Sequence, residues 1–246
     1  MKQLFIFLSL FCAALAHAQT ITIVADSLRL PLGLEIAANG DILVTESGYG
    51  FNDGAVSILR PDGSLQPVIV GLPSIFDTTS QEAVGPWRSA MMANNQLGVL
   101  SPLDGGILVY DLNGFVPGIT PPISGASPTS QIIISDFVNS NQPPTMPDSN
   151  PYSVAFDEDG NLYIVDSGFN GIIKVDATTG VRSVFAVFPK WPNPLPFGPP
   201  EVDPVPTRII NKPGGGFLVC TLTGFPFQEG SAGVYTVDMN GSISNY

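Results

Sequence analysis

The feature that most constrains this chain is that it repeats itself. Segments beginning at Pro31, Pro86, Pro151 and Pro206 read PLGLEIAANGDILVTESG, PWRSAMMANNQLGVLSPL, PYSVAFDEDGNLYIVDSG and PTRIINKPGGGFLVCTLT. Nine residues after each proline stands Gly40, Asn95, Gly160 or Gly215, residue types that accept the positive φ of a tight turn. A strand therefore precedes and follows the same turn in every copy. A third strand comes next, at Ala55 to Leu59, Gly106 to Asp111, Gly171 to Asp176 and Gly233 to Asp238. An outer run then leads to the next proline: LQPVIVGLP, SQIIISDFV and VRSVFAVFP. The copies start 55, 65 and 55 residues apart. Four strands recurring at such a period predict an all-β fold, a β-propeller of four-stranded blades with four repeats visible.

Composition agrees with strands and turns. Gly and Pro number 26 and 24 of 246 residues, and only 12% of the chain is charged. Both residues interrupt helices and supply turns, and no segment carries sustained helical periodicity. One all-β domain of this length is ordinary.

The first residues are read apart from the fold. Lys2, an apolar run from Leu4 to Ala16 and the small-residue exit Ala16-His17-Ala18 have the form of a secretory signal peptide. Cleavage after Ala18 leaves a propeller domain over 19–246 and predicts a secreted or periplasmic protein. Phe11 before Cys12 is too bulky for a lipid-attachment site, so no membrane anchor is expected. Cleavage removes the chain's only histidine, His17, and one of its two cysteines. The remaining Cys220 lies in the apolar GGFLVCTL and has no partner for an intrachain disulfide. The formal charge of −12 becomes one unit more negative. Such a surface does not seek nucleic acid or anionic lipid.

The excess over a usual blade period of about 40 residues falls in two loops. One runs from about Phe115 to Asn150. The other, FPKWPNPLPFGPPEVDPVP, places eight prolines from Pro189 to Pro206 and contains Trp191 and Phe197. Long loops between blades carry specificity or cover a face, and this one reads as a stiff connector or a recognition surface. ITIVADSL, Ile21 to Leu28, occupies the place of an outer strand before Pro31. The last copy reaches NGSISNY where an outer strand is due, which reads as a chain cut short.

Equivalent offsets in a propeller form rings around the channel. Fifteen residues after each proline stand Glu46, Ser101, Asp166 and Thr221. Two carboxylates and two hydroxyls are oxygen ligands suited to calcium, and carboxylates at strand ends also cap turns. Two residues after the proline the ring is Gly33, Arg88, Ser153 and Arg208. The two arginines either hold an anionic group with bidentate geometry or pair with Glu46 and Asp166 and neutralise the channel. The candidate ligand-binding residues are thus Arg88, Arg208, Glu46, Asp166 and Trp191, with Glu46 and Asp166 the candidate metal ligands and calcium the possible cofactor.

The segment VPTRIINKPGGGFLVCTLTGFPFQEGSAGVYTV, Val205 to Val237, and above all LTGFPF at Leu222 to Phe227, resembles the ScyD/ScyE family of secreted propellers. NPYSVAFDEDGNLYIVDSGFNGIIKVD is similar to another blade of that family. The family is related to six-bladed propellers of the NHL and TolB-like type and is named from the gene cluster for the cyanobacterial sunscreen pigment scytonemin. The resemblance implies an exported propeller, usually a blade or two longer, with no agreed reaction. Gluconolactonase-like propellers are similar in fold and hold a metal partly through an acid or amide just after the turn into the innermost strand. Leu32, Trp87, Tyr152 and Thr207 stand there and offer no such ligand.

Two functions follow. The first is a non-catalytic binding propeller that takes a small molecule, an extracellular polymer or a protein through its channel face and long loops. The second is a metal-assisted hydrolase of lactones or esters that uses Glu46 and Asp166. Histidine general-base chemistry is excluded from a mature chain without histidine. Cys220 has no histidine beside it in sequence and reads as an inert thiol.

Overall fold

The computed structural model describes residues 22–37, 39–143 and 147–246. The signal-peptide reading and Ile21 lie outside the described residues. Each repeat is a four-stranded antiparallel sheet, and the strands follow the sequence pattern closely.

The first blade is β1 (Pro31–Ile36), β2 (Ile42–Glu46), β3 (Gly54–Leu59) and β4 (Leu65–Leu72), paired in that order. A small hairpin, β5 (Ile75–Asp77) with β6 (Glu82–Val84), follows it. The second blade comprises β7 (Arg88–Met92), β8 (Gln96–Ser101) and β9 (Gly106–Asp111); the chain then makes β10 (Ile123–Ser124) before closing the blade with β11 (Ser130–Ile133). A short helix, α1 (Ser135–Ser140), comes next. The third blade is β12 (Pro151–Phe156), β13 (Leu162–Asp166), β14 (Gly171–Val175) and β15 (Arg182–Val187). A second hairpin, β16 (Trp191–Pro192) with β17 (Glu201–Val202), lies in the proline-rich segment. The fourth blade is β18 (Pro206–Asn211), β19 (Phe217–Thr221), β20 (Gly233–Val237) and β21 (Ile243–Asn245).

The blades pack face to face through their innermost strands, first on second, second on third, third on fourth. Each joint holds its own apolar core. Leu43, Val56 and Ile69 of the first blade meet Leu97, Val99 and Leu108 of the second. Leu100, Ile107 and Val109 meet Ile164 and Ile173. Tyr163, Val165 and Ile172 meet Ile209, Phe217 and Val219. These strands are apolar on both faces because the middle blades are covered on both sides. The outward faces of the first and fourth blades are different: Leu34 and Ile36 are 59% and 75% exposed, and Ile210 and Val234 are 43% and 41% exposed.

Three details depart from the sequence reading. Residues 22–28 form no strand; β21, at the end of the chain, supplies the fourth blade's outer strand, and β10 adds itself in parallel beyond β4. The Phe115–Asn150 loop therefore starts by running back to cover the first blade's edge, held where the Tyr110 hydroxyl donates to the Gly125 carbonyl at 2.6 Å. SQIIISDFV is a strand only to Ile133. The amides of Ile134 and Ser135 both donate to the Gly105 carbonyl at 3.0 and 3.1 Å, which turns the chain into α1 and buries Ile134 and Val138 in the core.

Candidate functional site

Antiparallel blades put the starts of all four innermost strands at one end of the molecule. The inserted hairpins β5–β6 and β16–β17, helix α1 and the Leu222–Ala232 loop all emerge there as well, because each joins strands that finish or begin at that end. Loop material concentrated on one end of a rigid scaffold is where binding sites are usually built.

A repeated backbone irregularity shapes the channel mouth at this end. Pro31 pairs with Glu46 while Gly33 pairs with Thr45; Pro151 and Ser153, and Pro206 and Arg208, show the same shift. The residue between, Leu32, Tyr152 or Thr207, is a bulge that re-aims its side chain. In the second blade Trp87 takes this place, donating its amide to the Leu100 carbonyl at 3.0 Å while Arg88 pairs with the same residue. The positions dismissed in sequence for lacking metal ligands thus carry an aromatic shelf. Trp87 and Tyr152 stack with centroids 5.1 Å apart and planes 19° apart, and the Trp87 indole N–H donates to Asn150 Oδ1 at 3.1 Å.

Beside Trp87 opens a cleft of about 680 Å³, lined by Leu30, Leu32, Tyr49, Phe51, Phe76 and Ala83 with Gln81 and Glu82 at its polar side. Its walls come from the start of β1, the β2–β3 loop and the β5–β6 hairpin. Asp53 organises this loop: its Oδ1 accepts the amides of Tyr49 and Phe51 at 2.9 and 3.1 Å and the Ser74 hydroxyl at 3.0 Å. Burial works to raise its pKa, but the Phe51 amide, the Ser74 hydroxyl and the Tyr49 amide outweigh it and hold the carboxyl below its ordinary value. Phe51 also bridges to Ile75, which joins loop to hairpin. Tyr49, Phe51 and Phe76 remain 51%, 80% and 46% exposed, a concentration of bare aromatic surface that a propeller core does not require.

The two candidate carboxylates act within their own blades. Glu46 accepts the Arg29 amide at 2.6 Å. Asp166, wholly buried, accepts the amides of Asn150 and Phe169, both at 2.9 Å, and the Ser149 hydroxyl at 2.7 Å. Burial pushes the Asp166 pKa up despite those bonds. Its hydrogen bond to the Asn150 backbone fixes the residue whose side chain holds Trp87, so Asp166 supports the shelf from behind. Among the described residues no group of three or more His, Cys, Asp and Glu gathers for a metal.

The two arginines differ in their partners. Arg208 Nη2 lies 3.2 Å from Glu35 Oε2 across the channel, so its partner is Glu35 and neither Glu46 nor Asp166. Arg88 has no ion pair among the described residues, which hold only the Arg208–Glu35 and Lys190–Asp203 pairs. Its Nε is buried without a hydrogen-bond partner. Burial first, and the nearby Arg208 second, press the Arg88 pKa below its ordinary value. Gly33 makes room for this strand, since a Cβ there would sit 2.7 Å from the Trp87 carbonyl oxygen and 2.9 Å from Arg88 Cα.

Trp191 stands elsewhere. It lines a cleft of about 410 Å³ with Phe188, Pro204, Tyr235 and Ile243, and its hairpin is tied down where the Asn170 amide group donates to Asp203 at 2.8 Å and accepts the Val205 amide at 2.9 Å. Asn52 plays a similar part in the first blade, accepting the Ser74 amide at 3.3 Å. Both asparagines adopt positive φ, 52° and 59°, and both follow a phenylalanine in the sequence.

Four radially packed four-stranded sheets with ligand-sized concavities at one end place the chain among β-propellers. No protein-family model matches it, and no curated protein matches it in sequence. Solved structures do match. A catalytically inactive virginiamycin B lyase from Staphylococcus aureus, crystallised with quinupristin, is 12% identical with a TM-score of 0.51, over 93% of this chain and 58% of that one. A candidate 6-phosphogluconolactonase from Bacteroides uniformis is 14% identical with a TM-score of 0.51, over 90% and 57%. A protein of unknown function from Bacteroides thetaiotaomicron is 14% identical with a TM-score of 0.52, over 89% and 44%. The chain spans 44–58% of the length of these three proteins. Among the described residues no helix is long and apolar enough to cross a membrane.

Proposed function

We propose that this chain is an exported, non-catalytic propeller that binds a small molecule at its channel mouth, in the cleft between Trp87, Tyr49, Phe51 and Phe76. The single observation that carries this reading is the cleft itself: aromatic side chains left bare by a loop that Asp53 holds in place with three hydrogen bonds. Preformed apolar concavities with a few polar groups are the usual form of a ligand site. Export rests on the signal-peptide pattern of the first eighteen residues. The resemblance to the ScyD/ScyE family, and through it to six-bladed propellers, is kept as part of this proposal. The exposed apolar faces of the first and fourth blades suit an arc that is part of a larger ring.

The metal-dependent hydrolase is the less favoured reading. Glu46 and Asp166 are each occupied with backbone amides of their own blade, and among the described residues neither stands in a group of three or more His, Cys, Asp and Glu.

The test is a fragment titration followed by NMR, with lactone and ester turnover measured in parallel. Saturable binding that weakens at least tenfold in Tyr49→Ala/Phe51→Ala, without turnover, is the expected result. Turnover that is lost with chelator and in Asp166→Asn would overturn the proposal.

A further inference from the structure

The internal joints of the fold use the same two sets of repeat positions. Three and five residues after its opening proline, a blade offers side chains to the blade before it. Val154 and Phe156 of β12 pack into the joint with the second blade, and Ile209 of β18 into the joint with the third. The other set faces the blade that follows. Ala155, four residues after its proline, and Ile172, next to the glycine that opens β14, are buried against the fourth blade. Ile107, next to the glycine that opens β9, is buried against the third.

The two ends of the arc carry one set each, uncovered. Leu34 and Ile36 of β1 stand at the positions of Val154 and Phe156, and Ile210 and Val234 of the fourth blade at those of Ala155 and Ile172. All four are exposed, whereas Ala155 and Ile172 are buried. One end is thus the face that a blade turns to its predecessor, and the other the face that a blade turns to its successor. Bare apolar surface of this kind marks an interaction site, and a copy of the same chain carries the matching half of each.

A second observation points to the same place. In the other repeats the outer strand of one blade, β4, β11 or β15, leads into the proline of the next. Residues 22–28 hold that place ahead of Pro31, yet they form no strand, and Ile23 and Val24 are exposed. A blade set before the first gives this segment a sheet edge to join. The fourth blade has such an edge, since β21 is only 3 residues long and pairs with β20 alone. The addition of β10 beyond β4 shows that the fold accommodates a fifth strand.

We propose that two copies of this chain associate head to tail, the fourth blade of each packing on the first blade of the other, with residues 22–28 lying along β21 of the other copy. Four blades from each copy make a ring of eight, within the range at which propellers close. Both junctions are the same contact, so the assembly ends at two. The chain spans 44–58% of three solved proteins that share its fold, in keeping with one copy supplying about half of a ring. Contact between like ends, fourth blade on fourth blade, has no precedent among the three internal joints. The inference takes up the open arc and is independent of what the mouth binds.

Sedimentation equilibrium of the exported chain at micromolar concentration is expected to give a dimer. Leu34→Lys/Ile36→Lys and Ile210→Asp/Val234→Asp each set a charge into both junctions and weaken association by roughly a hundredfold or more, with circular dichroism unchanged. Mixed in equal amounts, the two variants dimerise again, because one junction is then native and the other sets lysine against aspartate. Contact between like ends leaves one variant dimeric and gives no such rescue. Hydrogen exchange at Ile23 and Val24 is slower in the native dimer than in the Ile210→Asp/Val234→Asp monomer. A monomeric native chain, a filament, or a dimer that survives either double substitution overturns the proposal. Should a double variant fail to fold, Ile36→Lys and Val234→Asp take its place in the same mixing experiment. A monomer that still binds ligand at the mouth removes this inference alone, and a dimer that binds none removes only the ligand reading.

Discussion

Replacing Asp166 separates a structural carboxylate from a catalytic or metal-binding one. The side chain is wholly buried and accepts three hydrogen bonds, from the Asn150 and Phe169 amides and the Ser149 hydroxyl. Asp166→Ala strands all three donors. A bond to a charged acceptor contributes roughly 1.5–3 kcal/mol, and part of the total is recovered by no longer burying a carboxylate. A net loss of about 2–4 kcal/mol follows, which lowers the melting temperature of a domain of this size by roughly 5–15 °C. Asp166→Asn behaves differently, because the amide oxygen still accepts both backbone N–H groups and the amide nitrogen faces a hydroxyl that can accept. It loses little at pH 7. The pH dependence sharpens the contrast. Burial raises the Asp166 pKa, so the folded state holds the proton more tightly than the unfolded chain does. Its contribution is most favourable below the ordinary carboxylate pKa and falls as pH rises through the raised folded value. The stability of Asp166→Asn relative to the native chain therefore improves from pH 4 to pH 7. Melts recorded across that range, with calcium and with chelator, check both points. A native chain stabilised by calcium, with the effect lost in Asp166→Asn, refutes this reasoning.

Four further outcomes are expected. Asp53→Ala frees the Tyr49–Phe51 loop, and ligand affinity at the mouth drops at least tenfold while the blade cores persist, measured by titration beside a thermal melt. Because hydrogen bonds hold the Asp53 pKa low, its contribution to stability is present above the ordinary carboxylate pKa and fades as pH falls through the lowered value; amide exchange of the loop from pH 5 down to pH 2 reports this. Ile164→Ala, at the joint of the second and third blades where the side chain is wholly buried, costs about 2–5 kcal/mol in denaturant unfolding. Gly33→Ala sets a Cβ against the Trp87 carbonyl and Arg88 Cα, backbone that cannot easily yield; a loss of about 1–3 kcal/mol in denaturant unfolding is expected.

The blades were legible in sequence because their signal is local and repeated four times. A proline, a turn residue nine positions later and alternating apolar runs reappear at fixed offsets, and the third strands begin within a residue of expectation. The outer strands were less so. SQIIISDFV reads equally as strand or as a buried turn of helix, and the tie is broken by the Gly105 carbonyl, a contact from another part of the blade. The ring at the arginine offset could be written down from spacing alone. That Arg208 takes Glu35 could not, since the two stand on the first and last blades and meet only across the channel. The aromatic shelf is hidden for a related reason: the register shifts at Leu32 and Tyr152 break the strict two-residue alternation that a strand pattern assumes. The pair FN in SGYGFND and SGFNG carried a signal, an asparagine at positive φ that clasps the following loop.

On the proposed function, ligand is taken at the end of the molecule that bears the repeat-opening prolines and the long loops. The most direct measurement is an NMR titration of the isotope-labelled protein with a set of small aromatic compounds, following the Trp87 indole N–H and the amides of Tyr49, Phe51 and Phe76. Saturable shifts concentrated at these groups are predicted. Shifts confined to the turns at the opposite end, around Asp41, Asp157 and Asp176, would contradict the account.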